Sequence, residues 1–86
     1  MVPVTIYTRN GCPYCTAAVA LLKKKGAAFN EYNASVDPAY RTEMMRKSGR
    51  STFPQIFIGE SHVGGCDDIH ALDARGGLDA MLAGAN

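Results

Sequence analysis

Two cysteines separated by a proline and a tyrosine lie between a strand-like stretch and a helix-like stretch. Residues 4–7, VTIY, are β-branched and aromatic and predict a strand. Pro13 then stands where a first helical residue is expected, because its missing N–H would have no partner there anyway. Apolar residues follow at helical spacing, at Cys15, Ala18, Val19 and Leu22. The pattern predicts a helix that begins at the cysteine pair and turns Cys15 toward the core.

This first helix is expected to end at a run of lysines and Gly26, before a second strand over residues 29–33. Strand, helix and strand within about thirty residues form a βαβ unit with a right-handed crossover. Asp37 and Pro38 then predict the start of a second helix, with Asp37 as its N-cap and Pro38 as its first residue. Gly49 is expected to end that helix.

A hairpin and a last helix are predicted for the remainder of the chain. Residues 55–58 and 61–64 are short strands close enough to pair as a hairpin. Asp67 and Asp68 open the last helix, and a final turn follows the glycines at 76–77. The predicted order, β-α-β-α-β-β-α, is an α/β fold.

Composition and charge exclude several classes of protein. A chain of 86 residues with 47% hydrophobic and 20% charged residues predicts one globular domain over 1–86. A formal net charge of +1 predicts no overall electrostatic attraction to nucleic acid or to a membrane surface. No apolar run is long enough to span a bilayer. We expect no leader peptide, because the first residues read as a strand. Three cysteines, an odd number, argue against a secreted disulfide framework and favour the cytoplasm.

The cysteine pair can be a structural disulfide, half of a zinc site or a redox-active dithiol. As the N-cap, Cys12 would accept hydrogen bonds from the N–H groups of Tyr14 and Cys15, which favour its thiolate. Arg9 adds a positive charge nearby. Cys15 is expected to be covered, and an exposed nucleophile beside a covered resolving thiol suits disulfide exchange. We therefore predict a catalytic dithiol, with Tyr14 covering the site.

The two alternatives fit the sequence less well. Together with Cys12 and Cys15, His62 and Cys66 would complete a set of four zinc-type ligands. Zinc fingers separate their ligand pairs by about 12–20 residues, far fewer than lie between these two pairs. A passive disulfide would close only a very small loop and so gain little chain entropy.

A second candidate site lies beyond the second helix. Phe53 precedes Pro54, so it is expected to be extended and to offer its backbone to an added peptide strand. Base rates favour a trans bond before Pro54, since only about 5–6% of such bonds are cis, and a proline that merely starts an edge strand remains an alternative. Asp67 and Asp68 at a helix start either bind a zwitterion or serve only as caps.

The motifs CPYC, TFP and GGCDD, in this order and spacing, resemble those of dithiol glutaredoxins of the small bacterial type. The resemblance covers residues 4–82 and implies the thioredoxin-like fold, with a four-stranded mixed sheet flanked by helices. It also implies a cis Pro54, glutathione as co-substrate, and no tightly bound cofactor or metal.

The resemblance also implies a role for individual residues. Cys12 is the nucleophile and Cys15 the resolving thiol. The implied glutathione-binding residues are Arg9, Tyr14, Arg41, Thr52, Phe53, Pro54, Cys66, Asp67 and Asp68. Arg9 and Arg41 are expected near the glycine carboxylate of glutathione. Cys66 is expected to contact glutathione through its backbone and not through its sulfur. Phe53 replaces the usual valine of the family, which leaves its effect on substrate fit open.

The implied function is the reduction of protein disulfides and glutathione mixed disulfides by a monomer. Its expected partners are glutathionylated or disulfide-containing proteins, with ribonucleotide reductase as one candidate. A thioredoxin-like donor reduced by a flavoprotein is a second hypothesis, against which the GGCDD motif argues. A third hypothesis is that the protein carries an iron–sulfur cluster between two chains, and the presence of Pro13 and Cys15 argues against it.

Overall fold

The computed structural model describes residues 1–84, so the last two residues of the predicted 1–86 domain lie outside it. None of the helices in this part of the chain is both long and apolar enough to cross a membrane. The elements are, in chain order, β1 (Val4–Thr8), α1 (Pro13–Lys24), β2 (Phe29–Asn33), α2 (Ala39–Ser48), β3 (Gln55–Ile58), β4 (Ser61–Gly64), α3 (Cys66–Ala74) and α4 (Gly77–Leu82).

The four strands form one mixed sheet in the order β2-β1-β3-β4. β1 runs parallel to β2, as the predicted βαβ unit requires, and antiparallel to β3. β3 and β4 form the predicted hairpin, which turns at Gly59 with a positive φ of 58°. The predicted four-stranded mixed sheet flanked by helices is confirmed.

The sheet separates two apolar clusters. Successive side chains of a strand point to opposite faces, so β1 contributes to both clusters. Val4 and Ile6 pack with residues of α1, α3 and α4 in the larger cluster. Tyr7, together with Phe57 of β3, packs on Met44 of α2 in the smaller one. The sheet is therefore covered by three helices on one face and by α2 on the other.

Helix α1 begins at Pro13, as predicted, and Gly26 follows its end with a φ of 67°. Lysines occupy its last turn, where positive charge suits the negative end of the helix dipole. The buried stripe differs from the prediction at one position, because Leu21 is buried and Val19 is only half-buried.

Helix α2 begins one residue later than predicted, with Pro38 at the N-cap position. The side chain of Asp37 still caps the helix, since its Oδ1 accepts a hydrogen bond from the Ala39 N–H at 3.0 Å. Gly49, with a φ of 72°, ends the helix as expected.

The C-terminal region contains two helices where the sequence predicted one helix and a turn. Gly76, with a left-handed φ of 78°, interrupts the helical conformation and so separates α3 from α4. α3 begins at Cys66, one residue earlier than predicted. Lys25, at the end of α1, holds both helices, because its Nζ lies 2.6 Å from a carboxylate oxygen of Asp73 and 3.2 Å from one of Asp79.

The larger cluster should dominate the free energy of unfolding. Leu22 of α1 is fully buried in it. We expect Leu22→Ala to lower the free energy of unfolding by about 2–5 kcal/mol, through lost burial and the cavity left behind. Lys24→Ala, on the exposed side of the same helix, should stay within about 0.5 kcal/mol of the wild type. Urea unfolding followed by circular dichroism measures both, and equal losses would contradict this view of the core.

Candidate active site

Cys12 caps helix α1. Its backbone is extended, with φ −112° and ψ 99°, and its Sγ accepts a hydrogen bond from the Cys15 N–H at 3.2 Å. The sequence predicted two such donors, but within residues 1–84 the Tyr14 N–H makes no hydrogen bond to this sulfur. The sulfur therefore lies at the positive end of a helix with one backbone donor directed at it.

Both cysteines of the pair are buried, so the prediction of an exposed Cys12 was wrong. Cys12 is 5% exposed and Cys15 is 4% exposed. The cause is a loop far away in sequence: the Cys12 Sγ lies 3.9 Å from the Phe53 carbonyl oxygen. The two sulfurs therefore differ in their hydrogen bonds and surroundings rather than in exposure.

Cys15 is held as a thiol. Burial is the main cause that raises its pKa to about 12, and its hydrogen bond to Cys12 adds to the effect. At neutral pH the Cys15 proton is thus retained. This agrees with the prediction that Cys15 is the covered and less ionised thiol of the pair.

The Phe53–Pro54 peptide bond is cis. The base-rate expectation of a trans bond was wrong, and the expectation from the family resemblance was right. The Phe53 side chain is half-buried and packs against the smaller apolar cluster, so its bulk contributes to the core. The chain bends at Thr52 and Phe53, and within residues 1–84 the Phe53 N–H makes no hydrogen bond, so it is available to a ligand as the sequence analysis expected.

A cleft of about 200 Å³, here called the loop cleft, opens beside this loop. Its lining residues are Tyr14, Arg50, Thr52, Phe53, Pro54, Gln55, Gly65, Cys66, Asp67 and Asp68. The cleft gathers all the predicted binding residues except Arg9 and Arg41. Tyr14, 64% exposed, and the half-buried Phe53 are the two aromatic residues that line it.

A larger cleft of about 430 Å³, here called the cysteine cleft, includes both catalytic candidates. Arg9 lies in it together with Cys12, Cys15, Lys23 and Glu31. Arg41 is exposed near the start of α2 and lines neither cleft. The two predicted carboxylate-binding arginines are therefore not brought together with the aspartates.

Arg50 is a charged residue of the loop cleft that the sequence analysis missed. Its Nη1 lies 3.2 Å from Asp68 Oδ2, and the same oxygen accepts the Gly65 N–H at 2.8 Å. The Gly65 hydrogen bond, followed by Arg50, lowers the pKa of Asp68. Its position two residues before Thr52 of the TFP motif was a signal for its place in the cleft, but not for its ion pair with Asp68.

Cys66 is the first residue of α3 and is 9% exposed. Burial, followed by the charges of Asp67 and Cys12, raises the pKa of its thiol. Its Sγ lies 3.4 Å from His70 Nδ1, one turn along the same helix. The side chain is thus a covered thiol, in line with the expectation that only its backbone meets a ligand.

The zinc hypothesis needed four ligands from distant parts of the chain. Across residues 1–84, no three or more histidine, cysteine or acidic side chains form a group that could hold a metal ion. What the site does contain is a dithiol at a helix N-terminus beside a polar cleft, which is an arrangement suited to thiol–disulfide exchange.

Comparisons with known proteins define the family. The glutaredoxin family model matches residues 4–63. Over 82 residues the chain is 56% identical to Glutaredoxin 3 of Escherichia coli K12, covering 95% of this chain and 99% of that protein. The solution structure of glutaredoxin from Brucella melitensis is 63% identical, with a TM-score of 0.82 and coverage of 95% and 89%. The crystal structure of a buckwheat glutaredoxin–glutathione complex is 27% identical, with a TM-score of 0.88 and coverage of 96% and 78%.

This chain belongs to the glutaredoxin family. Its fold is the thioredoxin-like fold of those structural neighbours, as the family resemblance implied. It is a thiol–disulfide oxidoreductase whose function depends on glutathione.

The position of Asp68 predicts a pH dependence of stability. Because the pKa of Asp68 is lowered in the folded chain, its contribution is present above the ordinary value of 3.8 and is lost as pH falls through the folded value. The difference in free energy of unfolding between the wild type and Asp68→Asn should therefore shrink as pH falls below about 4. Urea titrations between pH 2 and 7 measure it, and a difference independent of pH would contradict the assignment.

Proposed function

We propose that this chain reduces glutathione mixed disulfides and protein disulfides through Cys12 and Cys15, with glutathione bound in the loop cleft. The observation that carries the proposal is the contact between the two parts of the site. Phe53 lines the cleft, and its carbonyl oxygen lies 3.9 Å from the Cys12 sulfur. A glutathione paired with the backbone of Phe53 would thus have its own sulfur close to Cys12.

For a mixed disulfide, the Cys12 thiolate attacks the sulfur of the glutathione moiety. The protein–glutathione S–S bond breaks, the protein leaves as a thiolate that takes up a proton, and a Cys12–glutathione disulfide forms. The thiolate of a second glutathione attacks this disulfide and leaves as glutathione disulfide. Cys12 is thereby returned as a thiolate, and one free glutathione thiol is consumed, because the other half of the glutathione disulfide came from the substrate.

For a protein disulfide, Cys12 first forms a mixed disulfide with one protein sulfur and releases the other as a thiol. Cys15 must then lose its proton and attack Cys12, which frees the protein and leaves a Cys12–Cys15 disulfide. Two glutathione molecules reduce that disulfide. Because burial raises the pKa of Cys15 and a neutral thiol is a poor nucleophile, loss of this proton is part of the second step.

The charges of the loop cleft suit a zwitterionic ligand. Asp67 and Asp68 offer carboxylates to an ammonium group, and the N-terminus of α3 offers N–H groups to a carboxylate. Arg50 adds a cation on the same side. These groups meet the amino-acid end of the γ-glutamyl residue, while the Phe53 N–H meets the peptide in the middle.

Arg9 and Arg41 are proposed to contact the glycine carboxylate at the far end of glutathione. Both are exposed cations that lie outside the loop cleft. Three residues in extended form span about 10 Å, so a tripeptide held at the aspartates extends past the cleft. Arg9, beside Cys12 in the cysteine cleft, is the better placed of the two.

We also propose that the chain acts as a single domain and as a monomer, with no tightly bound cofactor. A cycle that begins and ends with two thiols needs a compartment that keeps thiols reduced, which favours the cytoplasm. The proposed protein partners are glutathionylated or disulfide-containing proteins, with ribonucleotide reductase among them.

Substitution of each cysteine should separate the two reactions. Cys12→Ser removes the attacking sulfur and should abolish both activities. Cys15→Ser should keep the reduction of glutathione mixed disulfides and lose most reduction of protein disulfides, because only the second reaction needs the resolving thiol. A glutathione-coupled assay with a glutathionylated peptide and with a disulfide-bonded protein measures both.

Two results would contradict these roles. The first is an equal loss in both variants with both substrates. The second is substantial mixed-disulfide activity in Cys12→Ser. Cys66→Ser serves as the matched control and should preserve both activities, since only the backbone of Cys66 is assigned a part.

Removal of one negative charge should weaken the use of glutathione. Asn at position 68 can still accept the Gly65 N–H, so Asp68→Asn changes charge more than helix capping. Because the carboxylate is half-exposed, we expect its loss to raise the KM for glutathione roughly two- to five-fold. Steady-state kinetics with varied glutathione measure the effect, and Asp37→Asn, at the start of α2, is the control. An unchanged KM would reduce Asp68 to a helix cap.

A further inference from the structure

A buried glutamine links the loop cleft to strand β4. Gln55, the first residue of β3, is 1% exposed. Its Nε2 donates to the Thr52 carbonyl oxygen at 3.1 Å and to the Thr52 hydroxyl at 3.2 Å. Its Oε1 lies 2.7 Å from His62 Nε2. Both ends of the amide are therefore satisfied, which matters because a buried amide without partners is costly.

The chemistry of the partners fixes the orientation of this link. A carbonyl oxygen only accepts hydrogen bonds, so the nitrogen of the Gln55 amide must face Thr52. The oxygen of the amide then faces His62, and His62 Nε2 must carry the hydrogen. His62 is thus the donor in its Nε2–H tautomer, and the chain of bonds runs from His62 through Gln55 to Thr52.

The imidazole is held in place by its neighbours on the hairpin. His62 faces Phe57 in the β3–β4 pairing, and the two rings stack with centroids 4.9 Å apart at 29°. The ring contacts aromatic carbon on one face while its Nε2 reaches the buried amide. Burial, followed by the Arg50 charge, lowers the pKa of His62, so the neutral form prevails at neutral pH.

This hydrogen-bonded link fixes the orientation of one peptide group, the one between Thr52 and Phe53. The Thr52 carbonyl and the Phe53 N–H belong to the same planar peptide group, and in a trans peptide they point in opposite directions. By holding the Thr52 carbonyl inward, Gln55 turns the Phe53 N–H outward. No strand or helix fixes this peptide, because it lies between the end of α2 at Ser48 and the start of β3.

We propose that His62 is a positioning residue for glutathione: through Gln55 it orients the Thr52–Phe53 peptide so that the Phe53 N–H meets the ligand. The inference rests on the proposed function, because it assumes that glutathione occupies the loop cleft. It assigns a role in ligand use to a side chain of β4 that does not line that cleft.

Three variants of the full chain test the proposal. His62→Phe keeps a ring to stack on Phe57 and removes the donor, and it should raise the KM for glutathione about five-fold. His62→Gln offers an amide N–H in place of the imidazole and should return the KM to within about two-fold of wild type. Ser61→Ala changes the neighbouring exposed residue of β4 and should leave the KM unchanged. Alkylation of Cys12 by iodoacetamide should be equal in all three variants and the wild type.

A double-mutant cycle tests whether His62 acts through Gln55. In a Gln55→Met background, His62→Phe should have no further effect on the KM. If Gln55→Met does not fold, the nitrogen-15 spectrum of wild-type His62 still decides the point, because the proposal requires the Nε2–H tautomer. An unchanged KM in His62→Phe, a rise that His62→Gln does not reverse, or the Nδ1–H tautomer would each overturn it.

Failure of the proposed function would look different. If the rate of the wild type does not saturate with glutathione, while dithiothreitol still reduces its Cys12–Cys15 disulfide, then the loop cleft is not a glutathione site. If the wild type saturates with glutathione and the His62→Phe variant has the same KM, then only the role proposed for His62 is wrong.

Discussion

The hydrogen bond from the Cys15 N–H to the Cys12 sulfur is the contact on which the site depends. It exists because Pro13 starts helix α1 directly after Cys12, so that a free N–H of the first turn points back at the sulfur. Helix α1 is in turn fixed by the apolar stripe that includes Leu22 and by Lys25 at its other end. The chemistry of one sulfur thus rests on the placement of a whole helix against the sheet.

The two core clusters divide the support of the site between them. The larger cluster fixes α1 and α3, and thereby Cys12 and the aspartates of the loop cleft. The Phe53 side chain packs against the smaller cluster, so the loop that covers Cys12 is anchored on the opposite face of the sheet. Tyr7 reinforces that face, since its hydroxyl donates to Glu43 of α2 at 2.7 Å. Substitutions in either cluster should therefore alter the surroundings of the Cys12 sulfur, through α1 for the larger cluster and through the Phe53 loop for the smaller one.

Helix ends to within a residue, and the pairing of strands within the βαβ unit and the hairpin, were predicted from the sequence, whereas contacts between separate loops were not. Pro13 and Gly49 mark helix ends through their own backbone preferences, which need no knowledge of the rest of the chain. The burial of Cys12 depends on Phe53, and the ion pair of Arg50 with Asp68 joins two separate segments. Such contacts follow from the packing of the sheet, and no local pattern predicts them. The family resemblance supplied the cis bond before Pro54, which base rates opposed.

The position of Cys12 between two openings has a geometric consequence. In disulfide exchange the three sulfurs line up, with the entering and departing atoms on opposite sides of the one under attack. Cys12 lines the cysteine cleft and lies against Phe53, which lines the loop cleft. When Cys15 attacks Cys12, the departing protein sulfur must therefore lie on the side of Cys12 away from Cys15. When Cys12 attacks a bound glutathione mixed disulfide, the departing protein sulfur must instead lie on the side of the glutathione sulfur away from Cys12, so the two reactions require different placements of the protein substrate.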